Sequence, residues 1–324
     1  MSEHVSGFVS VIGRPNAGKF TLVNHLVGAK VAIVADKPQT TRTIIQGVLT
    51  RPEAQIIFLD TPGIHKPSDP INEFMVEQAL GALEGIDLAL LVYVHDATHP
   101  LNEGDDSALG LLKKASTPAI LVLNKIDRLK SKSALAALLD GFRQKHEFAE
   151  YFSISATTGE GCDELLAAIT SRMPAGPAFF PEDYLTDSPE RFIAAETVRE
   201  KILQLTRDEV PHSVAVLVDQ WEDKPNITRV AATIFVERRG QKIIIVGTKG
   251  SMLKRIGTEA RLDLEALLGR RFYLELFVKV QPGWRENPSF LKELDWRAVY
   301  GEQSRDLGPI LELPEPDPGD NEVR

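Results

Sequence analysis

Short apolar runs alternate with amphipathic stretches over the first half of the chain. Runs that are apolar at consecutive positions predict strands covered on both faces of a parallel sheet, and they occupy residues 8–12, 55–59, 88–94, 119–123 and 151–154. Helical spacing between these runs predicts helices over residues 19–27, 71–84, 104–115, 133–142 and 161–171. This alternation favours a doubly wound α/β domain, which we place at residues 1–173.

The second half follows a different order. Pro174, Pro177, Pro181 and Pro189 interrupt any regular period and predict a linker over residues 174–189. A helix is expected to start with Ser188 as N-cap and Pro189 at its first position. The pattern then predicts a smaller α+β domain over residues 190–298, with strands at 213–218, 229–236, 242–246 and 272–280 and a helix at 251–268. Residues 299–324 are acidic and Pro-rich, which predicts disorder.

Composition excludes several classes of protein. The 324 residues are 43% hydrophobic and 26% charged, which is ordinary for a globular protein. The apolar runs fall short of the roughly 18 residues that cross a bilayer, and the N-terminal residues do not resemble a signal peptide. A single cysteine, Cys162, excludes an internal disulfide. We therefore expect a cytoplasmic protein.

The net charge of −9 is distributed unevenly along the chain. Residues 238–285 carry 11 basic and 4 acidic side chains, whereas residues 301–324 carry 2 basic and 7 acidic ones. A basic segment within an acidic protein is typical of a localised phosphate-binding surface. Charge alone is equally compatible with a solvated polar face.

A phosphate-binding loop follows the first predicted strand. Gly13-Arg14-Pro15-Asn16-Ala17-Gly18-Lys19 fits the pattern G-x-x-x-x-G-K and leads into a helix. Glycines let the backbone wrap a phosphate, and the lysine and the amides at the helix N-terminus donate to its oxygens. The residues expected at a nucleotide are Gly13, Asn16, Ala17, Gly18 and Lys19, with the backbone amides of Phe20 and Thr21.

Three further loops end predicted strands at the same edge of the sheet. Asp60-Thr61-Pro62-Gly63 places a carboxylate where it can hold Mg²⁺ through water and an amide where it can sense a γ-phosphate. In Asn124-Lys125-Ile126-Asp127, the last carboxylate can accept from guanine N1 and N2, and Ser155-Ala156 suits a backbone contact to guanine O6. Each loop alone also fits an ordinary polar turn. Four loops in order favour a guanine-nucleotide site.

This set resembles the G1 to G5 motifs of P-loop GTPases, and residues 5–298 are similar to the bacterial Era family. Gln39-Thr40-Thr41-Arg42 fits the switch segment of that family. Residues 242–250, which end in Gly247-Thr248-Lys249-Gly250, resemble the strand and GxxG loop of a KH domain. Residues 278–285 resemble the segment that closes it.

The resemblance implies a Ras-like GTPase domain and a type II-like KH domain. It implies slow GTP hydrolysis with Lys19, Thr41, Asp60 and Gly63 as the catalytic group. Thr41 and Asp60 would hold Mg²⁺, with Thr40 as an alternative to Thr41, and Asn16 would be associated with K⁺.

The resemblance also implies partners. Era-like proteins bind 16S ribosomal RNA near its 3′ end during assembly of the small (30S) subunit. RNA would contact Gly247, Thr248, Lys249 and Gly250, together with Lys254 and Arg255. We expect a monomer in the cytoplasm. The resemblance implies peripheral contact with the inner membrane, although the sequence contains no evident anchor.

Phe20 departs from the family pattern. The residue after the P-loop lysine is ordinarily Ser or Thr, whose hydroxyl coordinates Mg²⁺. Thr21 lies about 100° further around the helix and cannot replace that ligand. Two alternatives to an active, RNA-binding GTPase therefore stay open. One is a hydrolysis-defective, nucleotide-responsive RNA-binding module, and the other is a GTPase that signals to protein partners without binding RNA.

Overall fold

The computed structural model describes residues 4–31, 33, 44–63, 87–115, 117–129, 131, 133–207 and 210–296. The first half of this described part forms a sheet with the strand order β2-β3-β1-β4-β5-β6. Its strands are β1 (Val5–Gly13), β2 (Ile45–Arg51), β3 (Ala54–Asp60), β4 (Leu88–Asp96), β5 (Ala119–Asn124) and β6 (Glu150–Ser153). Neighbouring strands are parallel except β2 and β3, which are antiparallel.

Helices cover both faces of this sheet. They are α1 (Lys19–Val27), α2 (Glu103–Leu112), α3 (Ser133–Lys145) and α4 (Cys162–Thr170). Alternate residues of β4 point to opposite faces, so that Val92 joins the core under α1 and α4 while Leu91 and Tyr93 join the core under α2 and α3. The prediction of a doubly wound α/β domain is confirmed. The helix predicted over residues 71–84 lies outside the described residues.

Residues 174–189 run along the first sheet without forming a helix. The backbone amide of Ser6 donates to the carbonyl of Pro174 at 2.9 Å, and the Gln55 side chain bonds the backbone of Phe180. The next helix, α5 (Glu190–Leu205), has Pro189 as its N-cap rather than Ser188. The prediction for Ser188 is wrong because the ψ of Pro189, 145°, is extended, so the helix begins one residue later.

A second, smaller sheet has the order β7-β8-β9. It contains β7 (Val214–Lys224), β8 (Ile227–Val236) and β9 (Phe272–Val280), with β9 parallel to β8 and β7 antiparallel to it. One face packs on α5, α6 (Arg239–Val246) and α7 (Ser251–Leu268), and the other is partly covered by α8 (Pro288–Leu294). This is the expected small α+β domain.

The strand predicted at residues 242–246 is wrong, because these residues form the end of α6. The isoleucine-rich run resembles a strand in composition, since β-branched residues are enriched in strands. However, the alternation of a half-buried strand is absent: Ile245 is buried, whereas Ile243 and Ile244 are both exposed. The side chain of Gln241 accepts from two backbone amides just before the helix and fixes its start. No helix in the described part of the chain could cross a membrane.

Candidate functional site

The glycines of the P-loop permit close approaches that a side chain would block. At Gly13, where φ is 150°, an added Cβ would lie 2.2 Å from the carbonyl oxygen of Val94. At Gly18, where φ is 89°, it would lie 2.3 Å from the Asn124 side-chain nitrogen. The loop is thereby fixed against β4 and against the loop that follows β5.

Lys19 is buried at the start of α1. Its Nζ donates to the carbonyl oxygens of Gly13 at 3.3 Å and Arg14 at 3.1 Å. Burial lowers the pKa of Lys19 to about 8, and the charge of Asp60 acts in the opposite direction. A buried ammonium held by neutral carbonyls is suited to receive an anion, such as a phosphate.

Asp60 is the matching anion at the end of β3. It is fully buried, and neither carboxyl oxygen has a hydrogen-bond partner among the described residues. Burial raises the pKa of this carboxyl to about 8, while the Lys19 charge acts to lower it. An unpartnered buried carboxylate of this kind suits a hard cation.

Gly63 brings the loop after β3 onto the P-loop. A Cβ at Gly63 would lie 2.5 Å from the backbone nitrogen of Pro15. Thr61 is also fixed, because its hydroxyl donates to the carbonyl of Val11 at 3.0 Å. The two predicted phosphate-side loops are therefore in direct contact.

Asn124 connects the three loops on the other side of the site. Its Nδ2 donates to the carbonyl of Ala17 at 2.9 Å, and its Oδ1 accepts from the Ala156 amide at 3.0 Å. The Ala156 amide, predicted to contact a base, is thus engaged by Asn124 in this structure, and Ser155 is fully buried beside it.

Lys125 and Asp127 follow Asn124 with different roles. Lys125 Nζ lies 2.7 Å from Asp96 Oδ2 and also donates to the carbonyl of Asn16. Asp127 lies in the short 3₁₀ turn Ile126–Arg128 with its carboxylate exposed. The Asp96 contact was not predicted, although Asp96 ends β4 at the same edge of the sheet, where such a residue is expected.

Phe20 fills its position with an apolar contact. It is 8% exposed and packs with Ile45, the first residue of β2, and with Phe192 of α5. A phenyl ring offers no oxygen to a metal ion. Thr40 and Thr41, predicted as metal-ligand candidates, lie outside the described residues.

An ion-pair network joins the two domains close to the apolar contact of Phe20 with Ile45 and Phe192. Lys30, shortly after α1, lies 2.6 Å from Glu200 of α5 and 3.1 Å from Asp263 of α7. Lys201 lies 2.6 Å from the same Asp263 carboxylate. The α7 helix of the second domain is thus tied directly to the first domain.

The GxxG loop forms a sharp turn between α6 and α7. Gly247 has φ 70°, and a Cβ there would lie 2.7 Å from Met252 Cβ. Lys249 has φ 51° and Gly250 has φ 80°, so the loop turns through the left-handed region. Thr248 and Lys249 are exposed at its tip.

A groove of about 450 Å³ begins at this loop and runs between α7 and β9. Lys254 lines it, as predicted, but Arg255 does not, because its guanidinium bonds Glu259 at 2.7 Å on another face of the helix. Arg261 and Tyr273 also line the groove, although neither was predicted from the sequence. Arg261 could have been found, because residues 254, 257, 258 and 261 share one face of a helix.

The phosphate loop, the base-recognition loops and the GxxG groove define a P-loop GTPase joined to a KH domain. Two family models match accordingly, one described as a 50S ribosome-binding GTPase over residues 8–125 and one as a KH domain over residues 209–285. The chain belongs to the Era family of GTPases. It is 47% identical to GTPase Era of Geobacter metallireducens over 293 residues, which is 90% of this chain and 97% of that one.

Other relatives agree with this family assignment. GTPase Era of Lacticaseibacillus paracasei is 47% identical over 297 residues, covering 91% of this chain and 98% of its own length. A crystal structure of Era with MgGDPNP and nucleotides 1506–1542 of 16S ribosomal RNA matches with a TM-score of 0.86 and 42% identity. A point variant of Aquifex aeolicus Era bound to GDP.AlF4⁻ gives the same TM-score and identity, and each match covers 90% of this chain and 99% of the solved one. The predicted family, fold class and GTPase activity are confirmed.

Proposed function

We propose that the protein binds and hydrolyses GTP in its first domain and binds 16S ribosomal RNA in its second, acting in assembly of the small (30S) subunit. The main support for this proposal is that the predicted loops lie together at one edge of the first sheet. There Lys19 and Asp60 are buried without a direct ion-pair partner among the described residues, as a site made for a nucleotide phosphate and a cation requires.

The nucleotide is held by backbone and side-chain donors of the P-loop. Lys19 reaches the β- and γ-phosphates, and amides from Asn16 to Thr21 surround them. Asp127 recognises guanine, and Asn124 holds the base loops against Ala17. Because phosphoryl transfer depends on positioning and charge stabilisation, Lys19 and the Gly63 amide act on the γ-phosphate oxygens.

Asp60 is the described residue that fits a Mg²⁺ ion, with Thr41 as its proposed partner. When bound, Mg²⁺ supplies positive charge to the β- and γ-phosphate oxygens. Phe20 contributes no ligand at its position, so the site has one oxygen donor fewer than the usual P-loop. We extend the proposal to a K⁺ ion near Asn16 as a further source of positive charge.

RNA binding is assigned to the GxxG loop and its groove. A loop whose ends lack side chains lets an RNA backbone approach closely, and Lys249 and Lys254 supply positive charge. The solved Era complex holds MgGDPNP and ribosomal RNA together, which supports simultaneous binding of both ligands here. We place the protein in the cytoplasm as a monomer, and peripheral membrane contact stays a prediction.

Placing aspartate at both Thr248 and Lys249 is expected to weaken RNA binding by at least about tenfold at 100 mM salt. Each phosphate contact contributes to affinity and to its salt dependence, and the new carboxylates repel the backbone. Binding of the full chain to a single-stranded RNA matching the 3′ end of 16S RNA, titrated between 50 and 200 mM salt, measures the effect.

A matched control makes the same charge change on the other domain. Ser107→Asp with Lys113→Asp alters two exposed positions at α2 and should leave RNA affinity within about twofold. Equal binding by the loop variant and the unmodified chain would show that the GxxG loop is only a turn. Absence of salt-dependent RNA binding in all forms would favour the protein-signalling alternative.

A further inference from the structure

The groove beside the GxxG loop combines positive charge with an apolar floor. Leu253 and Leu276 line it together with Lys254 and Arg261. The helix that leads into the GxxG loop, α6, exposes Ile243 by 64% and Ile244 by 46%. The lining of this groove is complementary to a ligand that carries both negative charges and apolar groups.

The available positive charge is concentrated at the loop end of the groove. Arg255 is paired with Glu259, Arg261 with Glu265 and Arg270 with Glu190. Lys249 and Lys254 are exposed and have no acidic partner within the described residues. These two lysines are therefore open to an anionic ligand.

The last part of this chain has the complementary composition. Residues 301–324 carry 7 acidic and 2 basic side chains, a net charge of −5, against +7 for residues 238–285. Within this segment Ile310, Leu311 and Leu313 immediately precede Glu315 and Asp317. The segment therefore carries acidic and apolar side chains that are complementary to the basic and apolar lining of the groove.

The segment is also tethered within reach of the groove. The described chain ends at Trp296, whose ring lies 6.3 Å from that of Phe192 in α5, and α5 packs against α7. The 28 residues from 297 onward can span up to about 90 Å when extended. A domain of this size has a radius of gyration of only about 13 Å, and tethering gives an effective concentration on the order of millimolar.

We propose that residues 301–324 occupy the groove between α7 and β9 of the same chain and compete there with RNA. The competition with RNA rests on the proposed function, whereas occupancy of the groove does not. RNA must then displace the segment before it binds. Because the displaced segment takes up counterions again while the RNA releases its own, net counterion release on RNA binding is smaller than for an open groove.

The first test neutralises the segment without shortening the chain. The full-length variant carries Glu312→Gln, Glu315→Gln, Asp317→Asn, Asp320→Asn and Glu322→Gln. We expect it to bind single-stranded RNA about five- to twentyfold more tightly than the unmodified chain at 50 mM salt, with a steeper dependence of affinity on salt. The difference in RNA affinity between the variant and the unmodified chain should become smaller towards 200 mM salt, because the segment's own contacts with the groove weaken.

A control separates docking from a general effect of net charge. Five exposed carboxylates of the first domain are converted to amides instead, at Glu103, Asp106, Asp140, Asp163 and Glu164. Docking predicts less than a twofold change in RNA affinity for this control. An equal gain in both variants, or a gain in neither, would overturn the proposal.

The second test needs no RNA. Hydrogen exchange is compared between the full chain and a chain that ends at Tyr300, and a peptide of residues 301–324 is then added to the shorter chain. We expect residues 248–261 to exchange more slowly in the full chain than in the shorter chain. Adding the peptide to the shorter chain should restore this protection. Equal exchange in all three samples overturns groove occupancy. If the segment protects the groove but the protein binds no RNA, the proposed docking is supported and the proposed RNA-binding function is wrong.

Discussion

Replacing Phe20 with serine is expected to raise the steady-state rate of GTP hydrolysis about ten- to a hundredfold at 1–5 mM Mg²⁺. In the proposed Mg²⁺ site the hydroxyl would add an oxygen ligand beside Asp60, which is buried without a hydrogen-bond partner among the described residues. Loss of even an outer-shell partner of a metal ligand typically costs about ten- to a hundredfold in metal affinity or activity. The Mg²⁺ concentration needed for half-maximal turnover should fall in parallel. GTP should gain more affinity than GDP, since GTP alone carries the γ-phosphate whose charge the bound Mg²⁺ would help to neutralise.

The same substitution removes the apolar contact of Phe20 with Ile45 and Phe192. We therefore expect a lower melting temperature, with up to about 3 kcal/mol of stability lost, because large-to-small changes leave a cavity. Phe20→Leu is the matched control, since it reduces bulk but supplies no oxygen. If leucine accelerates turnover as much as serine does, or if serine changes neither turnover nor the Mg²⁺ requirement, the explanation by a missing ligand is wrong.

Asp127→Asn is expected to weaken GTP binding about a hundredfold or more and to improve binding of xanthosine triphosphate. In the proposed site the carboxylate accepts from guanine N1 and N2, and hydrogen bonds to a charged group contribute about 1.5–3 kcal/mol each. Xanthine presents an oxygen in place of the N2 amine, which the asparagine amide can satisfy. Competition of both nucleotides against a fluorescent GDP analogue measures the preference.

Asp140→Asn is the control for Asp127, because Asp140 is also exposed and lies on α3, paired only with Arg143 among the described contacts. It should leave the GTP preference unchanged. Binding of ATP and GTP with equal affinity by the unmodified chain would contradict the assignment of this loop. An Asp127→Asn variant that still prefers GTP over xanthosine triphosphate would do so as well.

Elements with strong local signals could be predicted from sequence to the residue. Helix α1 was predicted with the bounds observed, Lys19–Val27, because Gly18 and Gly28 stand at its two ends in the left-handed conformation. Helix α7 was also predicted correctly, between Gly250 and Gly269. By contrast, β2 was missed, because it is an edge strand whose Gly47 and Gln46 weaken the apolar pattern.

The loops of the site were predictable because each lies at the end of a strand and carries a recognised spacing. Their mutual contacts were not, since they join distant parts of the chain. The Asn124 amide reaches Ala17, and Phe20 meets Phe192, which lies in the other domain. The ion pairs of Lys30 with α5 and α7 likewise depend on how the domains pack. Such contacts have no local pattern from which they could be inferred.

We propose that the guanine-nucleotide site and the RNA groove are coupled within one chain, through contacts such as those of Lys30 with α5 and α7. The most direct measurement is the affinity of the full chain for single-stranded RNA at saturating GDP and at a saturating non-hydrolysable GTP analogue. We expect RNA binding to be at least about fivefold tighter with the analogue than with GDP. RNA should tighten binding of the analogue relative to GDP by the same factor. Equal RNA affinity in the two nucleotide states would contradict it.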